Sequence, residues 1–447
     1  MIQTYIPYYK RLLTLAIPLV LTQTGQVVVA LVDNAMVGRV GTQELAAASF
    51  ANSVFAVIMV FGMGMAFAIT PLVGQAIGAH DAEGVKSMIK NGGILGLLSA
   101  IVLGFLCWSC SWIMPYLGQP EEVLTLAIPY FRILAISLLP FMLFMILKQI
   151  GEGLGNTVMA MVATLISNVV NIFLNWVLIF GNWGAPELGL NGAGIATLIA
   201  RVILPVILFF SFLKAPAIRK YFDFSGLTSV SFQKVTQLLA LGLPIGFQLV
   251  LETSIFAIGA VMMGWLGDVP LASHQVALGM ASLTFMISNG VAQATTIRVS
   301  YQIGEKNAEG LRMVSYSAMH LVLLFMTFCG LGFYLFRYDL PRIFTPDELV
   351  INSAASLLVL AGIFQIFDGL QVVCLGILRG MTDVKVPMVL AGFSYLVIGL
   401  PVSYFAAFSM EMGAEGIWVG FVVGLGLAGL SLYFRIWKRL QRYQKVL

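Results

Sequence analysis

Charged side chains are scarce in this chain of 447 residues, where Lys, Arg, Asp and Glu make up 10% and hydrophobic residues 60%. A soluble globular protein carries about 25% charged residues, so this composition excludes a chain that folds in water alone. The four cysteines (107, 110, 329 and 374) all lie in apolar runs, which argues against a disulfide framework. The sequence has no P-loop, metal-site or nucleophile motif, so ATP is not expected to drive its activity. The chain is therefore expected to be a membrane protein.

Long apolar runs divide the chain into twelve segments, and a helix of about 20 apolar residues crosses the roughly 30 Å hydrocarbon layer of a bilayer. The first run is too long for the apolar region of a signal peptide. The sequence thus predicts an all-α membrane protein with twelve transmembrane helices. The predicted spans are 12–36, 45–72, 92–115, 124–147, 158–181, 191–213, 236–264, 271–297, 314–336, 354–378, 386–408 and 413–436.

The distribution of Lys and Arg predicts the orientation, because cytoplasmic loops hold an excess of these residues. With the N-terminus in the cytoplasm, 19 of the 24 fall on the cytoplasmic side, and only Arg39, Arg337 and Arg342 lie clearly outside. Both termini are then cytoplasmic. The basic C-terminal segment "RIWKRLQRYQK" fits lipid headgroups, so no nucleic-acid partner is expected.

The two halves of the chain repeat each other. Residues 15–86 align without a gap on residues 241–312 at an offset of 226, with "IGAHDAEG" matching "IGEKNAEG". Each half holds six spans, so both enter the membrane in the same direction, as parallel repeats related by a pseudo-two-fold axis along the membrane normal. The predicted lobes are residues 1–213 and 235–447, joined by a polar cytoplasmic linker at 214–234.

Three acidic residues, Asp33, Glu252 and Asp368, lie inside the predicted spans. A charge in the bilayer costs at least a few kcal/mol, so such residues are expected to face a protein interior or a wet cavity and to mark an ion or substrate path. Counted along the helices, Glu252 and Asp368 lie near the membrane midplane, where they could share a cavity. Asp33 lies nearer the outer end.

Polar side chains accompany these acids at helical spacing. This pattern is typical of two structures: a polar cavity lined by these side chains, or hydrogen bonds that they form between helices. In the first half they are Gln26, Asn168, Asn171 and Asn175, and in the second half Gln248, Gln365 and Gln371.

The acids break the repeat, because the offset of 226 places Gln26 at the position of Glu252 and Gly259 at that of Asp33. Scaffold packing tends to repeat, whereas coupling to an ion need not. We therefore interpret Glu252 and Asp368 as a two-carboxylate cation site, where Na+ is possible, and Asp33 as a single acid opposite the asparagines. No cofactor is expected. Carboxylate and amide oxygens suit both Na+ and H+.

Four segments carry a resemblance to a known family. They are "VDNAMVG" at the end of span one, "LVLETSIFA" in span seven, "FDGLQVV" in span ten and "LRGMTDVKVP" after it. In this order they resemble the multidrug and toxic compound extrusion family, especially its bacterial NorM branch, over essentially the whole chain. The resemblance implies a two-lobe antiporter of the bacterial inner membrane, active as a monomer, that expels amphipathic, often cationic drugs in exchange for Na+ or H+.

Carried over by position, Glu252 and Asp368 match the coupling acids of the C-terminal lobe of that family, and Asp33 matches the acid of the N-terminal lobe. Asn171 and Asn175 match its polar partners in span five. Arg201 has no counterpart in this match. It could pair with an intramembrane acid or bind an anionic substrate.

Two other functions fit the sequence less well. A flippase for lipid-linked oligosaccharides shares the architecture, but a pyrophosphate headgroup favours several cavity cations, and only Arg201 is central. An intramembrane aspartyl protease needs two Asp residues that activate water together. Asp33 and Asp368 lie at different depths, so no enzyme activity is expected.

Overall fold

The computed structural model describes residues 2–222 and 230–446 of the chain, and its regular elements are helices. The first half contains α1 (Ile2–Gly38), α2 (Thr42–Ala66), α3 (Ile69–Gly78), α4 (Ala82–Cys110), α5 (Glu121–Gly153), α6 (Val158–Phe180), α7 (Gly189–Lys214) and the short α8 (Pro216–Arg219). The second half contains α9 (Phe232–Leu266), α10 (Asp268–Gly304), α11 (Ala308–Leu335), α12 (Glu348–Gly380), α13 (Lys385–Gly392), α14 (Leu400–Tyr404) and α15 (Gly413–Val446).

Within these residues, twelve helical stretches are long and apolar enough to cross a membrane, and each overlaps one predicted span. The all-α prediction with twelve spans is confirmed. The second span combines α2 and α3, and the eleventh runs from Lys385 to Ser409 through two π-helical turns.

Several helices extend beyond the apolar runs that predicted them. The third span, predicted at 92–115, begins at Ala82, because the carboxylate of Asp81 accepts a hydrogen bond from the backbone N–H of Gly84 and caps the helix. Asn307 caps α11 through Gly310 in the same way, 226 residues later. Hydropathy alone does not detect such a polar first turn.

The helices pack into two compact units, which do not follow the midpoint of the chain. One unit is Leu21–Gly246, and the other combines Met1–Val20 with Phe247–Leu447. The first part of α1 therefore packs with the second half of the sequence, and the first part of α9 with the first half. Of the predicted linker at 214–234, residues 223–229 lie outside the described residues.

The sequence repeat is visible in the packing inside each unit. In the Leu21–Gly246 unit, the Thr70 hydroxyl donates to the backbone oxygen of Gln149 at 3.0 Å. In the other unit, the Thr296 hydroxyl donates to the backbone oxygen of Gly376 at 2.9 Å. Thr296 follows Thr70 by 226 residues. A buried threonine therefore bonds to the neighbouring helix at the same place in both repeats.

We expect Gly376→Ala to destabilise the second unit. A Cβ at Gly376 would lie 2.5 Å from the backbone oxygen of Ala292 on α10, so the two helices would have to separate. Overpacking of this kind costs about 1–3 kcal/mol. Thermal unfolding of purified protein should show a lower Tm. The control is Gly332→Ala on α11, where a Cβ meets no atom within 4 Å, and equal Tm values for the two variants would contradict the prediction.

Candidate functional site

The acids of the second half are buried and close together in space. Glu252, on α9, is 8% exposed, and Asp368, on α12, is 4% exposed. The two side chains are near enough to interact electrostatically. The structure thus brings together the two carboxylates that the sequence placed at similar depth, and two negative charges that share one interior favour a bound cation.

A tyrosine joins these acids from the eleventh span. Tyr395 is fully buried in the π-helical turn Phe393–Gly399 and interacts electrostatically with both Glu252 and Asp368. A π-helical turn inside an α-helix often marks a functional position. Sequence analysis missed this residue, because one tyrosine in an apolar span has no distinguishing pattern.

The predicted glutamines lie on the same two helices as these acids. Gln248 lies on α9 one turn before Glu252, and Gln371 lies beside Glu252. Gln365, one turn before Asp368, accepts a hydrogen bond of 2.7 Å from the Thr284 hydroxyl. All three are buried. Glu252, Asp368, Tyr395 and Gln371 therefore form one polar cluster, and Gln248 and Gln365 lie one helical turn before its acids.

Two buried oxygens of this cluster are available to a ligand. The Oε1 atom of Gln371 and the hydroxyl of Tyr395 have no hydrogen-bond partner among the described residues. Buried polar atoms normally have a partner, and exceptions are candidates for an ion or a function. Together with the carboxylates they supply oxygen atoms of the type that Na+ binds.

The charges of this cluster do not balance. Glu252 and Asp368 carry two negative charges when ionised, and Arg379, at the end of α12, supplies one positive charge that attracts Glu252. One negative charge remains, so one monovalent cation restores neutrality. The described residues contain no group of three or more His, Cys, Asp or Glu side chains that could hold a metal ion, and the cluster fits a proton or Na+ better than a transition metal.

The first half builds a different arrangement around Asp33 on α1. The side-chain amide of Asn175, on α6, donates a short hydrogen bond to Asp33 Oδ1, and the same amide lies 3.3 Å from Asn171 Oδ1. Both asparagines are buried. Asp33 is half-buried.

The other two predicted residues of this half lie further along the same pair of helices. Asn168, on α6, approaches α1 at Gly25, where a Cβ would come within 2.9 Å of its side-chain nitrogen. Gln26 follows Gly25 directly, about two turns before Asp33. Both side chains are half-buried. They extend the polar stripe and lie away from the hydrogen bond between Asn175 and Asp33.

Arg201 is attracted by an intramembrane acid, one of the two alternatives that the sequence left open, and it also contacts aromatic rings that the sequence did not suggest. Its guanidinium lies between two aromatic rings, 4.9 Å from the centroid of Phe55 and 5.2 Å from that of Phe141. It donates a 2.7 Å hydrogen bond to the Ser137 hydroxyl and is attracted electrostatically by Asp33. Cation–π contacts of this kind are worth about 2 kcal/mol or more when desolvated. The aromatic rings and the acid therefore stabilise the arginine together.

Two further groups were missed by the sequence. Lys148 and Glu152 form a buried ion pair at 3.3 Å near the end of α5, just beyond the predicted span 124–147. His274, on α10, is also fully buried and packs edge-on against Trp418. The burial of these three residues arises from tertiary packing and has no signal in hydropathy.

These features define the class of the protein. It is a multi-pass membrane protein with internally repeated six-helix halves and buried acids inside its spans. The MatE family model matches residues 18–177 and 244–405, which is one segment in each half of the chain. The chain belongs to the MatE family.

Curated relatives agree with this assignment over nearly the full length. The probable multidrug resistance protein NorM of Rhizobium meliloti (strain 1021) is 33% identical over 440 residues, which cover 97% of this chain and 94% of the relative. The multidrug resistance protein NorM of Vibrio vulnificus (strain CMCP6) is 32% identical over 431 residues, covering 96% and 94%. These bacterial relatives, with the twelve spans, support a multi-pass inner-membrane protein.

Solved structures share the fold. The Vibrio cholerae MATE transporter VcmN in its bent form aligns with a TM-score of 0.89 at 20% identity and covers 99% of each chain. The eukaryotic MATE transporter AtDTX14 aligns with a TM-score of 0.88 at 22% identity, covering 99% of this chain and 100% of its own. Both solved structures are of transporters, and their likeness to this chain shows the shared fold.

Proposed function

We propose that this protein exports amphipathic, often cationic drugs from the cell in exchange for Na+ or H+. The observation that carries the proposal is the buried cluster of Glu252, Asp368 and Tyr395, whose two acids face one compensating cation, Arg379. The names of the NorM relatives, as multidrug resistance proteins, supply the substrate class.

The coupling ion binds, in this proposal, between Glu252 and Asp368. One monovalent cation neutralises the cluster, and the carboxylates, with Gln371 Oε1 and the Tyr395 hydroxyl, provide its oxygen ligands. The same cation opposes drug occupancy, so that its binding from outside releases the drug there. The cation and the drug therefore cannot be bound at the same time, and one alternating-access cycle carries them in opposite directions.

Asp33 acts as the acid of the first half. Its hydrogen bond from Asn175 and its attraction to Arg201 hold the carboxylate in place. The positive charge of Arg201 balances the negative charge of the Asp33 carboxylate, so the first half needs no second cation site. Asp33 responds to the drug or the ion through changes in its contacts with Asn175 and Arg201.

The protein acts in the inner membrane as a monomer, with both termini in the cytoplasm. The excess of Lys and Arg in the loops and tail on that side supports this orientation. Its substrates are small organic cations, and lipid is its surrounding partner.

Efflux from proteoliposomes tests the function. Purified protein is reconstituted, vesicles are loaded with ethidium, and a Na+ gradient or a proton gradient is imposed separately. We expect ethidium transport to follow one of the two inward gradients and to stop when that gradient is collapsed by an ionophore. Transport that needs ATP and proceeds with no ion gradient would overturn the proposal.

A flippase for lipid-linked oligosaccharides is less well supported. Its pyrophosphate substrate needs cations that are available to a ligand. Arg201 is held by two aromatic rings and the Ser137 hydroxyl, and Arg379 is attracted by Glu252. The charges at the buried acids instead favour a cationic substrate and a cationic coupling ion.

A further inference from the structure

A cavity of about 580 Å³ opens at the basic end of α15, apart from the intramembrane acids. Its volume lies within the range of about 300–1,000 Å³ that is usual for small-molecule sites. One wall comes from α13, through Val386 and Leu390, which are one helical turn apart. The other wall is one face of α15, formed by Ser431, Phe434, Arg435, Lys438, Arg439 and Arg442.

The wall on α15 changes from apolar to basic along the helix. Phe434 is 58% exposed at the apolar end, and Val386 opposite it is 40% exposed. Beyond Phe434 every residue of this face is a cation. An apolar surface that continues into a basic one matches the boundary between the acyl chains and the headgroups of a bilayer.

One acid organises part of the basic wall. Asp383, buried in the turn after α12, accepts two hydrogen bonds from Arg435, at 2.9 and 2.7 Å, and one from Nε of Arg439 at 2.8 Å. The terminal nitrogens of Arg439 take no part in that bond. Asp383 therefore orients two guanidinium groups beside the cavity.

The cavity has a strong excess of positive charge. Arg435, Lys438, Arg439 and Arg442 contribute four positive charges, and Asp383 removes one, which leaves three. Lys438 and Arg442 are exposed and have no ion-pair partner among the described residues. Clusters of four or more Lys and Arg next to a transmembrane helix attract anionic lipid, at about 1 kcal/mol per residue.

We propose that this cavity binds one anionic phospholipid. The phosphate is held by Lys438, Arg439 and Arg442, and the first part of an acyl chain lies against Val386, Leu390 and Phe434. A lipid occupies both walls, whereas a free phosphate ion would use the basic wall alone and leave the apolar wall without a function. The site is independent of the transport cycle proposed above.

Native mass spectrometry of the full-length protein in detergent tests this site. Wild type and Lys438→Gln/Arg442→Gln are titrated with phosphatidylglycerol and with phosphatidylcholine. Loss of two cation contacts is expected to raise the Kd for phosphatidylglycerol by about 10- to 30-fold. Phosphatidylcholine is expected to bind weakly and equally to both proteins.

The matched control removes two exposed cations elsewhere. Lys214→Gln/Arg219→Gln, at the end of α7 and in α8, loses the same charge and should bind phosphatidylglycerol as wild type does. A second variant, Val386→Glu, places a negative charge in the apolar wall and should weaken binding even if the double variant is unstable. A Kd equal to that of wild type in Val386→Glu or Lys438→Gln/Arg442→Gln would overturn the proposal. Displacement of the lipid by excess inorganic phosphate would overturn it as well.

Discussion

Glu252→Gln and Asp368→Asn should each abolish cation-driven export. Each substitution keeps the size and hydrogen-bonding shape of the side chain and removes one negative charge. Asp368→Asn leaves Glu252 balanced by Arg379, and Glu252→Gln leaves Asp368 as a single acid, so neither variant keeps the pair of carboxylates that binds the cation. Initial rates of ethidium efflux in proteoliposomes should fall by at least about ten-fold in each variant, as expected for residues that act in one network.

The double variant distinguishes one cation site shared by the two acids from two independent sites. If the two acids bind one cation together, Glu252→Gln/Asp368→Asn should be within about two-fold of either single variant, because the second change removes nothing that is still in use. If the two acids acted at independent sites, the fold-decrease in efflux of the double variant would be the product of the two single fold-decreases. The control is Glu309→Gln, an exposed acid in the first turn of α11, which should transport as wild type does.

Asp33→Asn should strongly impair export while leaving folding and membrane insertion intact. An asparagine can still accept the hydrogen bond from Asn175, so the contact between α1 and α6 remains. The negative charge that attracts Arg201 is lost, which leaves the guanidinium with its aromatic and hydroxyl contacts alone. We expect export to fall by about ten-fold or more, in line with the few kcal/mol attached to a charge inside the membrane.

Drug efflux at matched expression measures this effect, with Tm and gel-filtration profile as checks on folding. The control is Asp268→Asn, the same substitution at an exposed position in the first turn of α10, which should be neutral. Wild-type efflux in Asp33→Asn would remove Asp33 from the mechanism. A loss of folded protein in that variant would contradict the role of Asn175 as a retained partner.

The direction of exchange follows from the gradient of the coupling ion. A cation that moves inward releases about 2.3 kcal/mol of free energy per 100 mV of membrane potential, and movement down its concentration gradient releases more. Outward movement of a singly charged drug cation costs the same potential term, so a one-for-one exchange is driven by the concentration gradient of the ion, provided that the ion and the drug exclude each other. The single uncompensated charge at Glu252 and Asp368 suggests one monovalent ion for each cycle.

Much of this fold could be predicted from the sequence. Apolar runs of about 20 residues have few alternatives to a transmembrane helix, because every backbone polar group must be bonded within the bilayer. The internal repeat of residues 15–86 and 241–312 then fixed six spans for each half. The first part of α1 packs with the second half of the chain, and the first part of α9 packs with the first half. Hydropathy gives no signal for this arrangement, because it depends on which helices are in contact.

The candidate site was only partly accessible to sequence reasoning. Charged residues in an apolar span are conspicuous, so Asp33, Glu252 and Asp368 could be named, and their depth could be counted from helix rise. Tyr395 and the rings around Arg201 are ordinary residues of apolar spans, and their proximity arises from tertiary packing. The basic residues of α15 could be recognised as a membrane-surface segment, but their alignment with Val386 and Leu390 required the structure.

Cation-dependent release of bound drug from purified protein tests the central claim most directly. Ethidium is bound to wild type and to Glu252→Gln in detergent, and release is followed by fluorescence as Na+ is added at constant pH or as the pH is lowered without Na+. The account predicts that one of these additions releases the drug from wild type and that neither releases it from Glu252→Gln. Equal release from both proteins would contradict the claim that the buried acids exchange a cation for the drug.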